Sequence, residues 1–214
     1  MKYQFVAVSG TIGAGKSALA SRFASLTNSQ LILEEFANNS FLEKFYSNPE
    51  RYAFPLEISF LFERFQQMKT TFANADLFKT SFIADYFFDK SLLFAKNNLT
   101  ADQFAVFYPL FETFREQLPS PDLLIYLKRP VDVLLKNIQK RGRSYEQSIS
   151  PEYLENIQHY YLTYLKSLQH QRVLIIEMED KDFIADEKNF RKLYGLLFTE
   201  FLPKIHFFNI NDEI

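Results

Sequence analysis

The chain has no cysteine, which excludes disulfides and thiolate metal sites. Histidine is nearly as scarce: His159, His170 and His206 are scattered, without metal-ligand spacing. No charge sign dominates, because 24 Lys and Arg oppose 26 Asp and Glu for a formal net charge of −2. That balance gives no electrostatic reason to expect nucleic acid or an anionic membrane as a partner. Long apolar runs are missing too, none approaching the roughly 18 residues of a membrane helix. No charged leader or cleavage site precedes the first apolar run. Together these absences predict a cytoplasmic protein. Tryptophan is also absent, leaving 25 Phe and 12 Tyr to supply the rings of the core. With no repeat, low-complexity linker or composition shift, the 214 residues predict a single domain, 1–214.

Glycine is scarce as well, yet three of the five fall between positions 10 and 15. They lie in Gly10-Thr11-Ile12-Gly13-Ala14-Gly15-Lys16-Ser17, which fits G-x-x-x-x-G-K-[ST], the phosphate-binding P-loop. The apolar run Phe5-Val6-Ala7-Val8 precedes it and the helix-forming Ser17–Phe23 follows. Strand, glycine loop and helix form the context the motif requires. Glycines let successive N–H groups point inward, and the helix N-terminus adds partial positive charge. Lys16 then reaches the β- and γ-phosphates of a nucleoside triphosphate, and Ser17 is placed to ligate Mg²⁺. The alternative is a fortuitous glycine turn.

Strand-length apolar runs recur at Phe5–Val8, Leu31–Leu33, Phe82–Ala84, Leu123–Leu127 and Val173–Ile176. Helical patterns separate them, so a five-stranded, doubly wound parallel sheet with helices on both faces is predicted. Phe54, Ile58, Leu61, Phe62, Phe65 and Met68 recur at helical spacing on a helix that starts near Pro49-Glu50. Two helices, 86–96 and 101–117, are expected before the fourth strand, with Thr100 as N-cap of the second. Pro130 opens a helix to about Lys140, and Pro151 another to about Leu168, capped by Ser150. A last helix covers Glu187–Phe201. The tail Ile205–Ile210 is apolar enough to dock, at a place the pattern does not fix.

A P-loop alone names no reaction. Phe82-Ile83-Ala84-Asp85 ends a strand in a carboxylate, where P-loop proteins hold Mg²⁺. The alternative is an Asp that caps the next helix. Leu31-Ile32-Leu33-Glu34-Glu35 also ends in carboxylates, at the sheet edge where ligands bind. A Glu there can take the proton of an acceptor hydroxyl, or merely cap a surface helix. Lys140-Arg141-Gly142-Arg143, with Glu146 following, reads as a phosphate-closing loop or as a solvated charge run. No Asn-Lys-x-Asp occurs, which disfavours a regulatory GTPase.

From about Phe5 to Val173 the order of these motifs resembles the deoxyribonucleoside kinase family. The resemblance rests on Gly10–Ser17, Glu34, Asp85, Arg141, Arg143 and Glu146. It extends to Tyr46 in Phe45-Tyr46-Ser47-Asn48-Pro49 and to Tyr52-Ala53-Phe54-Pro55-Leu56-Glu57. Ile83-Ala84-Asp85-Tyr86-Phe87-Phe88-Asp89-Lys90-Ser91 with Phe94-Ala95 is similar to the bacterial deoxyguanosine kinase branch, and Asp122–Leu127 recurs across the family. The resemblance implies a P-loop kinase fold with an arginine-rich lid at about 141–149. It also implies ATP and Mg²⁺ as cofactors, a homodimer, and 5′-phosphorylation of a deoxynucleoside in nucleotide salvage.

By position, it makes Glu34 the general base, Tyr46 and Glu146 the partners of the 3′-hydroxyl, and Arg141 and Arg143 the lid on the ATP phosphates. Leu56, Glu57 and Phe94 surround the base, and Ser17 and Asp85 hold the metal, Asp85 also facing the substrate. Two departures stand out. Tyr86 replaces the Arg expected beside the strand-three carboxylate, and Lys90, one helical turn later, is placed to substitute for it. Glu57 replaces a base-reading Gln; an ionised carboxylate only accepts hydrogen bonds, which suits the N1–H and N2–H₂ of guanine. Adenine needs water or a protonated Glu57, so the implied substrate is a purine, deoxyguanosine or deoxyadenosine. A nucleoside monophosphate kinase such as a thymidylate kinase, or an inactive nucleotide-binding subunit, are the competing readings.

Overall fold

In the computed structural model the described residues are 1–34, 39–79, 81–183 and 185–212; Glu35, the second carboxylate of its strand end, lies outside them. Among these residues six strands form one parallel sheet in the order β2-β3-β1-β4-β5-β6. They are β1 (Phe5–Gly10), β2 (Gln30–Ile32), β3 (Phe82–Ala84), β4 (Leu123–Lys128), β5 (Val173–Glu177) and β6 (Ile205–Asn209). Among the described residues eight α-helices connect or flank them: α1 (Lys16–Thr27), α2 (Leu42–Ser47), α3 (Pro49–Ala73), α4 (Lys90–Asn98), α5 (Ala101–Arg115), α6 (Val131–Arg141), α7 (Pro151–Ser167) and α8 (Glu187–Leu196).

The sequence predicts five strands; the sixth is the apolar tail, paired in parallel with β5 from Val173↔Ile205 to Glu177↔Asn209. Its residues are half-buried or exposed, Phe207 by 67%, so this edge strand lacks the continuous apolar signature of buried β1 and β4. The helix predicted over 86–96 begins only at Lys90. Phe88 and Asp89 form a turn instead, closed by Lys90 N–H donating to Phe87 O and Ser91 N–H to Phe88 O at the start of α4. Lys90 therefore does not sit one helical turn after Tyr86. Helix α8 ends at Leu196 rather than near Phe201, and α2 is an element the sequence pattern did not reveal.

Along α3 the buried face runs through Ala53, Leu56, Glu57, Phe60, Leu61, Arg64, Phe65 and Met68. It shares Leu61, Phe65 and Met68 with the predicted stripe but turns Phe62 outward, 53% exposed. Packing against α4, α5 and the sheet, not hydrophobicity alone, selected that face. Two charged residues are buried along it. Thr100 and Ser150 do cap α5 and α7, each accepting a backbone N–H three residues on.

The chain runs from β1 out to β2 and back to β3 on one side, then to β4, β5 and β6 on the other. Strand order thus reverses beside β1, and the crevice at the carboxyl ends of the strands opens there. No helix among the described residues is long and apolar enough to cross a membrane.

Candidate active site

The loop Gly10–Ser17 fills this crevice. Gly13 adopts φ +85°, and a Cβ there would lie 2.6 Å from the Leu134 carbonyl oxygen, so both conformation and space require glycine. Helix α6 and the segment before it hold the loop from behind. Asn137 Nδ2 donates to Gly13 O at 2.9 Å, and the buried Arg129 guanidinium donates to Ala14 O at 3.2 Å. Gly10, Thr11 and Ala14 form the buried back of the loop, while Gly13, Gly15, Lys16 and Ser17 line an open groove of about 1220 Å³. Lys16 Nζ donates to Thr11 O at 3.0 Å. Desolvation in the cleft and the charge of Lys90 bring the Lys16 ammonium down to about 7. An anionic phosphate beside it would reverse that effect.

Asp85, at the end of β3, ties the loop to the neighbouring strand end. It accepts from the Ser17 hydroxyl and, at 2.7 Å, from the Glu34 N–H. A hydroxyl and a carboxylate side by side are hard oxygen donors of the kind Mg²⁺ takes, with phosphates and water completing the shell.

Glu34 follows β2 and is buried. Its Oε1 accepts from Arg64 Nε at 2.8 Å and Nη2 at 2.6 Å, and its Oε2 accepts from Lys90 Nζ at 2.5 Å. Burial opposes a charge there, but the two cations outweigh it and hold the Glu34 carboxyl at about 2. Arg64 also donates to Ser91 Oγ at 2.9 Å. Tyr86 is turned into the core and donates to Gln67 Oε1 at 2.5 Å; it is not among the residues lining the cavity described next.

That second cavity opens between α2, α3, α4 and the loop after α6. Tyr46, Leu56, Glu57, Lys90, Phe94 and Glu146 line it, together with Ile12, Lys16, Arg141 and Arg143. Glu34 instead borders an adjacent groove along α3, which it shares with Arg64. Arg141, the last residue of α6, and Arg143 both pair with the buried Glu146. Gly142 between them has φ +72°, ending the helix in the left-handed turn that aims both arginines at one carboxylate. Tyr46 stacks on Tyr145 with ring centroids 6.1 Å apart. Lys16, Arg141 and Arg143 line both the groove and the cavity, so a phosphate bound between the two meets three cations.

Arg64, Asn98, Tyr153 and Arg129 are site residues that the sequence reading missed. Arg64 carried a signal: it stands seven residues after Glu57, two helical turns along the same face. Asn98 lay in the stretch read as a break between helices.

The sequence model of the deoxynucleoside kinase family matches residues 6–203. The chain is 33% identical to a deoxyguanosine kinase of Bacillus subtilis (strain 168), over 88% of this chain and 93% of that one. It is 32% identical to a deoxyadenosine/deoxycytidine kinase of the same organism, over 90% of each. In structure it resembles a deoxyadenosine kinase from M. mycoides with bound dATP, with a TM-score of 0.75 at 21% identity, over 91% of this chain and 99% of that one.

Proposed function

The chain belongs to the deoxynucleoside kinase family, and we propose that it transfers the γ-phosphoryl group of ATP to the 5′-hydroxyl of a purine deoxynucleoside, deoxyguanosine or deoxyadenosine. The observation that carries this reading is the meeting of two cavities at Lys16, Arg141 and Arg143. One cavity has the P-loop as its wall and takes the nucleoside triphosphate. The other sets Leu56, Phe60 and Phe94 around Glu57, with the charged groups toward its mouth shared with the groove, and takes the nucleoside. Transfer between them is a matter of positioning and charge, because little covalent chemistry is asked of the protein.

In this reading Lys16, Arg141 and Arg143 hold the transferring phosphoryl group, and Ser17 and Asp85 hold Mg²⁺, which neutralises phosphate charge when bound. Glu34 accepts the 5′-hydroxyl proton, and Lys90 supplies beside it the positive charge that Tyr86 lacks. The 2.5 Å Lys90–Glu34 pair supports that assignment. Tyr46 and Glu146 bind the deoxyribose, and Leu56, Glu57 and Phe94 the base. Residues 1–214 act as one domain whose lid spans about 141–149. Phe62 on α3 and Val106, Tyr108 and Leu110 on α5 leave apolar side chains exposed on helices that pack together, which supports pairing as a homodimer. Use of ATP fits a salvage enzyme of the cytoplasm.

A coupled assay of ATP consumption against the four deoxynucleosides and their monophosphates tests the reading. Turnover with deoxyguanosine or deoxyadenosine is expected. Turnover with monophosphates alone would replace it with the monophosphate kinase reading, and no turnover at all would leave a nucleotide-binding subunit.

A further inference from the structure

The depth of the second cavity holds a pair of side chains that phosphoryl transfer does not use. Glu57 is 1% exposed, and its Oε1 accepts from Asn98 Nδ2 at 2.6 Å. Its Oε2 is buried with no hydrogen-bond partner among the described residues. A buried carboxyl oxygen left alone is costly unless a ligand group meets it or a proton sits on it. The Asn98 amide is itself oriented: its Oδ1 accepts from Asn97 Nδ2 at 2.8 Å, which turns its Nδ2 toward Glu57. With a donor fixed on Oε1, that oxygen can only accept, and any proton on the carboxyl resides on Oε2.

The charged and titratable groups around Glu57 come from every neighbouring element. Arg64 is on its own helix, Lys90 on α4, Glu34 at the end of β2 and Tyr153 on α7, with Tyr46 on α2. Arg141, Arg143 and Glu146 line the same cavity. Glu34 pairs with both Arg64 and Lys90 and so answers one of their two charges, while the other still pulls on Glu57.

Resting on the purine reading above, we propose that Asn98 positions Glu57 as a two-state reader of the base: protonated on Oε2 it selects deoxyadenosine, and ionised it selects deoxyguanosine. The protonated form presents a donor, Oε2–H, beside an acceptor, Oε1, which matches N1 and the N6 amine of adenine. The ionised form presents two acceptors, which match N1–H and N2–H₂ of guanine. Burial, against the pull of Arg64, Asn98 and Lys90, raises the Glu57 carboxyl to about 7, so both forms are populated near neutrality.

The test is kcat/KM of the full chain for deoxyguanosine and deoxyadenosine between about pH 5.5 and 8.5. Taking the ratio cancels every titration the two reactions share, those of Lys16 and Lys90 included. The deoxyguanosine-to-deoxyadenosine ratio is expected to climb at least about tenfold between pH 6 and 8, the behaviour of a single proton that separates the substrates. Glu57→Gln should give a ratio that is flat with pH and shifted toward deoxyadenosine. Asn98→Ala, at a half-buried position, removes a donor to the charged form and should move the climb to higher pH. A wild-type ratio constant within about twofold, or a climb that survives in Glu57→Gln, would overturn the inference while leaving the kinase reading intact. Should Glu57→Gln fail to fold, the wild-type profile and Asn98→Ala still decide. Phosphorylation of neither purine at any pH would sink the kinase reading, and the inference with it.

Discussion

Glu34 accepts three hydrogen bonds from two buried cations, and that arrangement sets what the residue can do. A carboxyl held at about 2 is a weak base. Phosphoryl transfer through a loose transition state needs an oriented acceptor more than a strong one, since charge on the attacking oxygen develops late. In the transfer proposed above, Glu34 exchanges part of its Lys90 contact for the 5′-hydroxyl, leaving Lys90 beside the reacting oxygens. Glu34→Gln is expected to lower kcat by about 10²–10⁴ with nucleoside binding kept. Steady-state kinetics with a nucleoside binding isotherm checks this, and kcat within about tenfold of wild type would remove Glu34 from the transfer step. Lys16→Ala should abolish turnover in a protein whose circular dichroism is unchanged, because the phosphate cradle loses the one P-loop cation among the three shared by both cavities. Activity within about tenfold of wild type would take the P-loop out of the mechanism.

Among the elements, the P-loop and α6 are fitted to one another by backbone contact. The Gly13 Cα faces the first turns of α6 so closely that Gly13→Ala would set a methyl group 2.6 Å from a carbonyl oxygen, in a left-handed conformation that alanine resists. Either the loop or α6 must move, and α6 ends in Arg141. We expect Gly13→Ala to raise KM for ATP about tenfold or more and to cost roughly 1–3 kcal/mol of stability. Nucleotide titration and urea unfolding measure the two effects; wild-type values for both would show that the loop tolerates the methyl group. Helix α3 shows the limit of pattern reading at this scale. A stripe drawn through its apolar residues includes exposed Phe62 and passes over Glu57 and Arg64, because the buried face is lined by function as well as by packing.

For the whole molecule, two buried carboxyls pull stability in opposite directions with pH. Glu34 is depressed to about 2, so its contribution is fully present above the ordinary carboxylate value and is lost as pH falls through about 2. Glu57 is raised to about 7, so the unfolded chain ionises first and stability is lost as pH climbs from the ordinary value through about 7. Glu57→Gln should therefore stabilise the fold by about 1–3 kcal/mol at pH 8 and change it little near pH 4. Urea unfolding at both pH values checks this, and a variant that is destabilised at pH 8 would contradict it. The gain would come at the proposed base site, the usual trade between a strained functional group and stability.

What the sequence determined by itself was whatever is written locally. The P-loop, the first five strands and the caps Thr100 and Ser150 are local because backbone conformation and short apolar runs are set by neighbours in the chain. So too were the residues of the second cavity that a family pattern marks by position, Tyr46, Glu57, Phe94 and Glu146 among them. Tertiary structure alone decided the rest. It made a strand of the half-exposed tail, since parallel pairing with β5 depends on partners 32 residues away in the chain. It turned Tyr86 inward and began α4 at Lys90, because packing of the rings outweighed helical spacing. It also brought Arg64 and Lys90 onto Glu34 and Asn98 onto Glu57, and no spacing in the chain encodes those pairs. Charges and amides of the same type lie on many surfaces. They become a site only when folding removes the water that would otherwise satisfy them.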